Sequence, residues 1–191
     1  DTVIIRSHGV SRQVFERLTA TGAEVIDATC PFVKRIHGLV SQAEAEGRLP
    51  IIIGTPTHPE VEGIAGWCGD CRIFDSLEAL QQWVREEQVD PNMPICMVSQ
   101  TTSTESLWKL CRNFAKKQFT YLKTFDTICR ATECRQSEAS ALSQRCQAMV
   151  VVGDLKSSNT GRLAVICREH CDKVFLVDNA TELKAEDFRG V

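Results

Sequence analysis

Short runs of β-branched residues alternate along the chain with longer segments in which apolar residues recur every three or four positions. The short runs predict strands and the longer segments predict amphipathic helices. Strands that alternate with helices indicate an α/β fold with parallel sheets and right-handed crossovers. Strands are predicted at 3–6, 24–28, 49–54, 71–74, 94–99, 120–125, 148–153 and 173–177, and helices at 11–21, 31–46, 77–87, 104–117, 132–145 and 161–171.

Polar residues at the predicted strand ends form an internal repeat. The tetrapeptide DATC at 27–30 ends one strand and opens a helix, and DTIC at 126–129 does the same later. His58 follows the first of these cysteines at the spacing at which Ser157 follows the second, and both lie in polar loops after apolar strands. A period of about one hundred residues predicts duplicated parallel-sheet units. Chance similarity between α/β segments is the alternative.

The repeat predicts three parts in the chain. Residues 1–30 are expected to be the C-terminal part of a first α/β unit, residues 31–125 a second unit and residues 126–191 a truncated third unit. A further pair of polar loops, SHGVS at 7–11 and SQTTS at 99–103, follows strands in the first two parts. The chain is therefore expected to lack the front of the first unit and the end of the third.

Composition narrows the class of protein. The chain carries 22 basic and 25 acidic residues, for a net charge of −3, and has no basic block that would favour nucleic acid. No apolar stretch is long enough to span a bilayer, so a cytoplasmic protein is predicted. Ten cysteines in a chain with long regular elements indicate a reducing compartment rather than a disulfide scaffold. Of these, Cys111, Cys146 and Cys167 are predicted to lie on apolar helix faces.

Two cysteines are candidate metal ligands. Cys30 and Cys129 each end a predicted strand and open a helix, and a helix N-terminus favours the anionic thiolate that binds iron or zinc. Two thiolates are too few for a closed zinc site or a four-cysteine cluster. A third cysteine from a missing unit would give a cluster with one iron left open.

Two loops are candidates for acid–base and anion chemistry. In the loop at 57–63, His58 and Glu60 place an imidazole and a carboxylate on either side of a proline, although a solvated turn is the alternative. The loop KSSNTG at 156–161 brings hydroxyls, an amide and backbone N–H groups to a helix N-terminus, which suits phosphate. Ordinary helix capping is the alternative for this loop.

Three further features can each be interpreted with or without a role in chemistry. His8 precedes Gly9 at a strand end, Thr101 could hydrogen-bond a substrate hydroxyl or cap a helix, and Cys68 and Cys71 have zinc-knuckle or redox spacing without a second pair. Two other functions therefore stay open. One is a zinc- or thiol-redox module that uses Cys68 and Cys71, and the other is a cofactor-free anion-binding α/β module.

Six segments in order resemble the 4-hydroxy-3-methylbut-2-enyl diphosphate reductase family, and the resemblance runs over essentially the whole chain. One such segment would be a weak signal, whereas six in the same order are highly specific. The segments are SHGVS at 7–11, DATCP at 27–31, HPEVEG at 58–63, QTT at 100–102, IC at 128–129 with AT at 131–132, and SSN at 157–159 with RL at 162–163.

The resemblance implies three pseudo-symmetric α/β units around a central [4Fe–4S] cluster, with one cysteine ligand from each unit. Cys30 and Cys129 match two of these ligands, and the family's first cysteine has no counterpart in this chain. The isolated chain is therefore expected to hold the cluster poorly or not at all and to be inactive.

The resemblance also assigns roles to the loops. The reaction would be the reductive loss of a hydroxyl group, which yields isopentenyl and dimethylallyl diphosphate, with ferredoxin or flavodoxin as the electron donor. Glu60 matches the residue that delivers protons, Thr101 the one that supports the substrate hydroxyl, and Thr132 a pocket residue near the cluster. The diphosphate positions are matched by His8, His58, Ser157, Ser158 and Asn159.

Overall fold

The computed structural model describes residues 1–190. All of its strands pair in parallel. They are β1 (Thr2–Ile5), β2 (Glu24–Asp27), β3 (Leu49–Ile53), β4 (Arg72–Phe74), β5 (Ile95–Ser99), β6 (Leu122–Thr124), β7 (Met149–Val152) and β8 (Val174–Val177). The helices are α1 (Arg12–Ala20), α2 (Pro31–Ala45), α3 (Pro59–Ala65), α4 (Leu77–Glu86), α5 (Glu105–Gln118), α6 (Arg130–Ser143) and α7 (Ser158–Arg168). Two short 3-10 helices follow, Ala180–Glu182 and Ala185–Phe188.

The predicted α/β class with parallel sheets is confirmed, and every predicted strand and helix overlaps an observed one. The prediction of a polar loop after β3 is wrong in part, because Pro59–Ala65 forms α3. His58 caps this helix and Pro59 occupies its first position, where a missing N–H costs nothing. The helix is only two turns long, so its apolar residues show too few repeats to reveal a period.

The residues fall into two compact units, Asp1–Ile128 and a second that begins at Cys129. The first unit contains the two-stranded sheet β1-β2 and the four-stranded sheet with the order β4-β3-β5-β6. The second contains the pair β7-β8 with α6 and α7. Residues 1–30 and 31–125 thus lie in one compact unit, and the predicted division into three parts stays a prediction.

Strands β3 and β5 form the centre of the four-stranded sheet. They pair from Leu49 opposite Ile95 to Ile53 opposite Ser99, and β5 is buried along its whole length. Side chains alternate between the two faces of a strand. Ile51 and Ile53 therefore pack in one core, and Ile52 packs in the other.

The strand order creates a topological switch point between β3 and β5. The chain leaves β3 through α3 to reach β4 on one side, and leaves β5 through α5 to reach β6 on the other. Connections that diverge in this way leave a crevice at the carboxyl ends of the two strands, where open α/β sheets bind ligands.

The two-stranded sheet is joined to α3 by close backbone contacts. Arg12 N donates a hydrogen bond of 3.1 Å to Gly66 O at the end of α3. A Cβ atom at Gly66 would lie 2.1 Å from Ser11 Cβ, and one at Gly63 would lie 3.3 Å from the carbonyl oxygen of His8. The absence of side chains at these two glycines therefore allows α3 to lie directly against the loop after β1.

Two of the three cysteines predicted on apolar helix faces lie there. All ten cysteines are free, and Cys111 and Cys167 are buried in the cores of their units. The prediction for Cys146 is wrong, because α6 ends at Ser143 and leaves this thiol exposed in the turn that follows. Within residues 1–190, no helix is long and apolar enough to cross a membrane.

The substitution Gly66→Ala should destabilise the first unit by about 1–3 kcal/mol, because the added methyl group overlaps Ser11. Gly38→Ala in α2 is the matched control, since nothing lies within 4 Å of its added Cβ. Alanine favours a helix interior over glycine, so this control should gain about 0.5–1 kcal/mol. Urea unfolding followed by circular dichroism measures both values, and equal effects would show that the contact with Ser11 is loose.

Candidate active site

The N-terminus of α3 lies at the switch point and is capped by His58. The Nδ1 atom of His58 accepts a hydrogen bond of 3.2 Å from the backbone N–H of Glu60. A ring nitrogen that accepts a hydrogen bond carries no proton, so the neutral ring holds its proton on Nε2. The cap therefore fixes the tautomer of His58 and makes Nε2 a hydrogen-bond donor.

Glu60 and Thr101 face each other across the crevice. Glu60 is 3% exposed. Its Oε1 accepts a hydrogen bond of 2.7 Å from the backbone N–H of Thr101, and its Oε2 accepts one of 2.8 Å from Thr101 Oγ1. The structure thus brings together Glu60, predicted to deliver protons and located after β3, and Thr101, predicted to support the substrate hydroxyl and located after β5.

The protonation of Glu60 is set by two opposing effects. Burial raises the pKa of the carboxyl group, and the two hydrogen bonds from Thr101 lower it by a smaller amount. The net shift is upward, because burial penalises the charged form. Glu60 therefore keeps a proton to a higher pH than an exposed glutamate does, as a proton donor requires.

Gln100 holds the loops after β3 and β5 together, and sequence reasoning missed it. Its backbone N–H donates to Ile53 O at 2.8 Å, and its Oε1 accepts from Thr55 N at 3.0 Å. Its Nε2 donates to Thr102 Oγ1 at 2.8 Å. A fully buried amide that is bonded to both loops fixes the distance between them. The signals in the sequence are a polar residue directly after an apolar strand and its place in the QTT segment at 100–102.

His8 approaches the same place from the loop after β1. Its ring lies 5.5 Å from the ring of His58, edge to face. Burial and the nearby Arg6 lower the pKa of His8, so the ring is neutral at pH 7. Its Nδ1 is buried without a hydrogen-bond partner among residues 1–190. Two neutral imidazoles in contact can offer N–H groups to an anion.

His37 supports the loop that carries His8. It is buried on α2 and stacks on Trp67 with ring centroids 5.0 Å apart, and burial lowers its pKa to about 4. Gly9 has φ +73° and lies so close that a Cβ there would be 2.7 Å from His37 Cε1. The interpretation of His37 as a structural residue agrees with this packing.

Cys30 lies beside the same loop. It is the N-cap of α2 but makes no capping hydrogen bond with its side chain, and its backbone N–H donates to Ser7 O at 3.0 Å. The first unit therefore gathers five of the predicted residues at the carboxyl ends of its strands. They are His8, Cys30, His58, Glu60 and Thr101.

The turn before Cys129 repeats the local structure of the turn before Cys30. Cys129 is the N-cap of α6, again without a side-chain capping bond. The carboxylate of Asp126 accepts from Ile128 N at 3.4 Å, just as that of Asp27 accepts from Thr29 N at 3.0 Å. The two cysteines thus stand in equivalent turns, each at the start of a helix. Thr132 is buried in the first turn of α6.

Ser157 caps a helix of the second unit, as His58 caps one of the first. It caps α7, and its Oγ accepts from Thr160 N at 3.4 Å. The prediction that the helix begins at Gly161 is wrong, because this cap starts α7 at Ser158. Ser158 and Asn159 therefore lie in the first helical turn.

The side-chain oxygen of Asn159 is unsatisfied within residues 1–190. Its Oδ1 is buried and has no hydrogen-bond partner in the part of the chain that the structure describes. Turning the amide over exchanges Oδ1 and Nδ2, so the same position can present a donor. A donor in the first turn of a helix suits an anion.

The structure groups no three histidine, cysteine, aspartate or glutamate side chains of residues 1–190 so that they could hold a metal ion. Cys68 and Cys71 provide two sulfur atoms without a third ligand, which is too few for a closed zinc site.

Comparison with known families shows which proteins this chain resembles. A family model described as LytB protein matches residues 1–191. The chain belongs to this family. A relative from Caldanaerobacter subterraneus subsp. tengcongensis, named 4-hydroxy-3-methylbut-2-enyl diphosphate reductase, is 39% identical over 191 residues. A relative of the same name from Thermoanaerobacter sp. strain X514 is 40% identical over 187 residues.

The chain covers 64% and 63% of the lengths of these two LytB relatives. Among solved structures, the reductase from Plasmodium falciparum superposes with a TM-score of 0.91 at 27% identity, with 100% of this chain and 59% of that one covered. A structure described as (E)-4-hydroxy-3-methyl-but-2-enyl diphosphate reductase has a TM-score of 0.63 at 36% identity, with 100% and 67% covered. These likenesses confirm the fold class and the predicted family.

The raised pKa of Glu60 predicts a pH dependence of stability in this LytB chain. The folded protein keeps the Glu60 proton above the ordinary value of 4.5, so its free energy of unfolding falls as pH rises from 4.5 through the folded pKa. Glu60→Gln removes this titration. Urea unfolding at a series of pH values should show the variant gaining stability relative to the wild type as pH rises. A constant difference between the two would contradict the upward shift.

Proposed function

We propose that the whole protein to which this chain belongs reduces 4-hydroxy-3-methylbut-2-enyl diphosphate to isopentenyl and dimethylallyl diphosphate. The observation that carries the proposal is the buried pair of Glu60 and Thr101 at the switch point, next to two neutral imidazoles. The names of the LytB relatives support the same reaction. In that reaction a C–O bond breaks and the hydroxyl leaves as water, with two electrons and two protons consumed.

Five residues are proposed to bind the diphosphate. His58 offers Nε2–H because its Nδ1 accepts the capping hydrogen bond, and His8 is neutral beside it. Ser157, Ser158 and Asn159 stand at the N-terminus of α7, where backbone N–H groups and the helix dipole favour negative charge. Hydrogen-bond donors held in fixed positions would orient the substrate for reaction.

Glu60 and Thr101 are proposed to deliver the proton to the leaving hydroxyl. When Glu60 is protonated, the bond between Oε2 and Oγ1 reverses, and Glu60 donates to Thr101. The hydroxyl hydrogen of Thr101 is then available to the substrate oxygen, while the backbone N–H of Thr101 continues to hold Oε1. The proton lost to the leaving oxygen is replaced from Glu60 along a distance of 2.8 Å.

Cys30 and Cys129 are proposed as two ligands of a [4Fe–4S] cluster. Both stand at helix N-termini, and neither side chain makes a capping hydrogen bond, so the sulfur atoms fit iron ligation. When bound, the cluster would supply electrons and Lewis acidity. Thr132, buried in the first turn of the helix that Cys129 caps, is proposed as a pocket residue. We further propose that ferredoxin or flavodoxin donates the electrons and that the whole protein is cytoplasmic.

The proton-delivery role is tested with Glu60→Gln in the whole protein, purified anaerobically with its cluster. Turnover should fall about a hundredfold or more, because glutamine cannot donate the proton, while the visible spectrum stays unchanged. The control is Glu62→Gln, an exposed glutamate on the same helix, which should retain turnover. Near-normal turnover of the Glu60 variant would remove Glu60 from the mechanism.

The cluster ligands are tested with Cys129→Ser in the same protein. Iron content and visible absorbance should drop, because serine is a poor ligand for iron–sulfur clusters. Cys146→Ser replaces an exposed thiol of the same unit and should leave both measurements unchanged. Full iron content in the Cys129 variant would show that Cys129 is not a cluster ligand, and a wild type without iron would point to a cofactor-free module that only binds anions.

A further inference from the structure

Cys68 and Cys71 lie in the turn between α3 and β4, and the proposed reductase function uses neither of them. The turn follows the C-terminus of the helix whose N-terminus carries Glu60. The intervening residues, Gly69 and Asp70, are exposed, so a small molecule can reach this turn from solvent.

The two thiols are in contact. The Cys68 thiol donates a hydrogen bond to Cys71, and both residues are half-buried against the core that contains Ile64. The turn is held by two polar contacts. Gly69 N donates to Glu44 Oε1, and Arg72 Nη1 pairs with Asp70 at 2.6 Å. The turn that carries the two sulfur atoms is therefore held in place on both sides of Asp70.

The contact makes the two thiols unequal. The Cys68 thiol can donate a single hydrogen bond, either to Ala65 O at 3.4 Å or to the sulfur of Cys71. Donation to a Cys71 thiolate lowers the pKa of Cys71 and raises that of Cys68. Burial and Asp70 oppose the lowering of the pKa at Cys71, Arg72 supports it, and the net shift of Cys71 is downward. Cys71 is therefore the thiol that forms the nucleophilic thiolate and attacks first, and Cys68 attacks in the second step.

We propose that Cys68 and Cys71 are a redox-active dithiol that closes to an intramolecular disulfide by exchange with a small-molecule disulfide such as oxidised glutathione. The Cys71 thiolate attacks one glutathione sulfur, the S–S bond of the oxidant breaks, and one glutathione thiolate leaves. Cys68 then loses its proton and attacks Cys71 Sγ, and the second glutathione leaves. The protein loses two electrons and two protons, and the oxidant becomes two thiols.

A second cysteine pair in the same chain provides an internal control. Cys167 and Cys171 are 0% and 5% exposed, so an oxidant cannot reach them as it reaches the turn. Burial also raises the pKa of Cys167, and the Cys171 thiol donates to Lys173 O at 3.4 Å. This pair should stay reduced under conditions that oxidise Cys68 and Cys71.

The experiment exposes the folded 191-residue chain to mixtures of oxidised and reduced glutathione, quenches with acid, alkylates in denaturant and digests with trypsin. The tryptic peptide 49–72 contains Cys68 and Cys71 and no other cysteine. It should become two hydrogen atoms lighter and lose both alkylation sites, and dithiothreitol should restore them. Peptides 163–168 and 169–173, with the control pair, should remain alkylated. Full alkylation of peptide 49–72 at every ratio would overturn the proposal.

Single variants test the order of attack. In Cys68→Ser, the reaction should stop at a glutathione adduct on Cys71. In Cys71→Ser, the adduct on Cys68 should form several-fold more slowly, because that thiol lacks the stabilising donor. Equal adduct rates in the two variants, or a persistent adduct without closure in the wild type, would contradict the assigned roles. The outcome is independent of reductase turnover, so it can fail while the proposed function stands.

Discussion

Strands β3 and β5 pair in parallel over five residues each, and this pairing determines where the chemistry of the first unit can lie. Their carboxyl ends meet at one edge, but the chain leaves them in opposite directions. His58 and Glu60 follow one strand, and Thr101 follows the other. A shift of register by one residue would turn Ile51 and Ile53 out of their core, so the apolar packing of the sheet also fixes the meeting of the two loops.

The buried carboxyl group of Glu60 is tolerated because Thr101 supplies both of its hydrogen-bond donors. One donor is a backbone N–H, whose position depends only on the course of the loop, and the other is a hydroxyl that can reverse its role. A buried acid with these partners can hold or release a proton without leaving an unpaired polar group. Gln100 keeps this arrangement rigid by bonding to both loops.

The apolar runs around Ile52 and Val98 were sufficient to predict β3 and β5, since buried parallel strands leave a clear signature. The helix α3 was missed because Pro59 and Gly63 resemble loop residues, although a capping residue, a proline and acidic residues in the first turn were signals of a helix start. Predicting the contact between Glu60 and Thr101 requires the order of the strands in the sheet, which one sequence does not reveal. The separate roles proposed for them follow from the resemblance, which is carried by the order of the motifs.

The glycines of α3 have a consequence for the tolerance of the site to mutation. Gly63 and Gly66 let the helix backbone rest on the backbone of the loop that carries His8. The helix that His58 caps and the loop that carries His8 therefore meet at two positions that have no side chain. A larger residue at either position would push the helix away from the loop and would separate the two imidazoles, whose centroids lie 5.5 Å apart. The proposed anion site thus depends on two residues that have no chemical role in it.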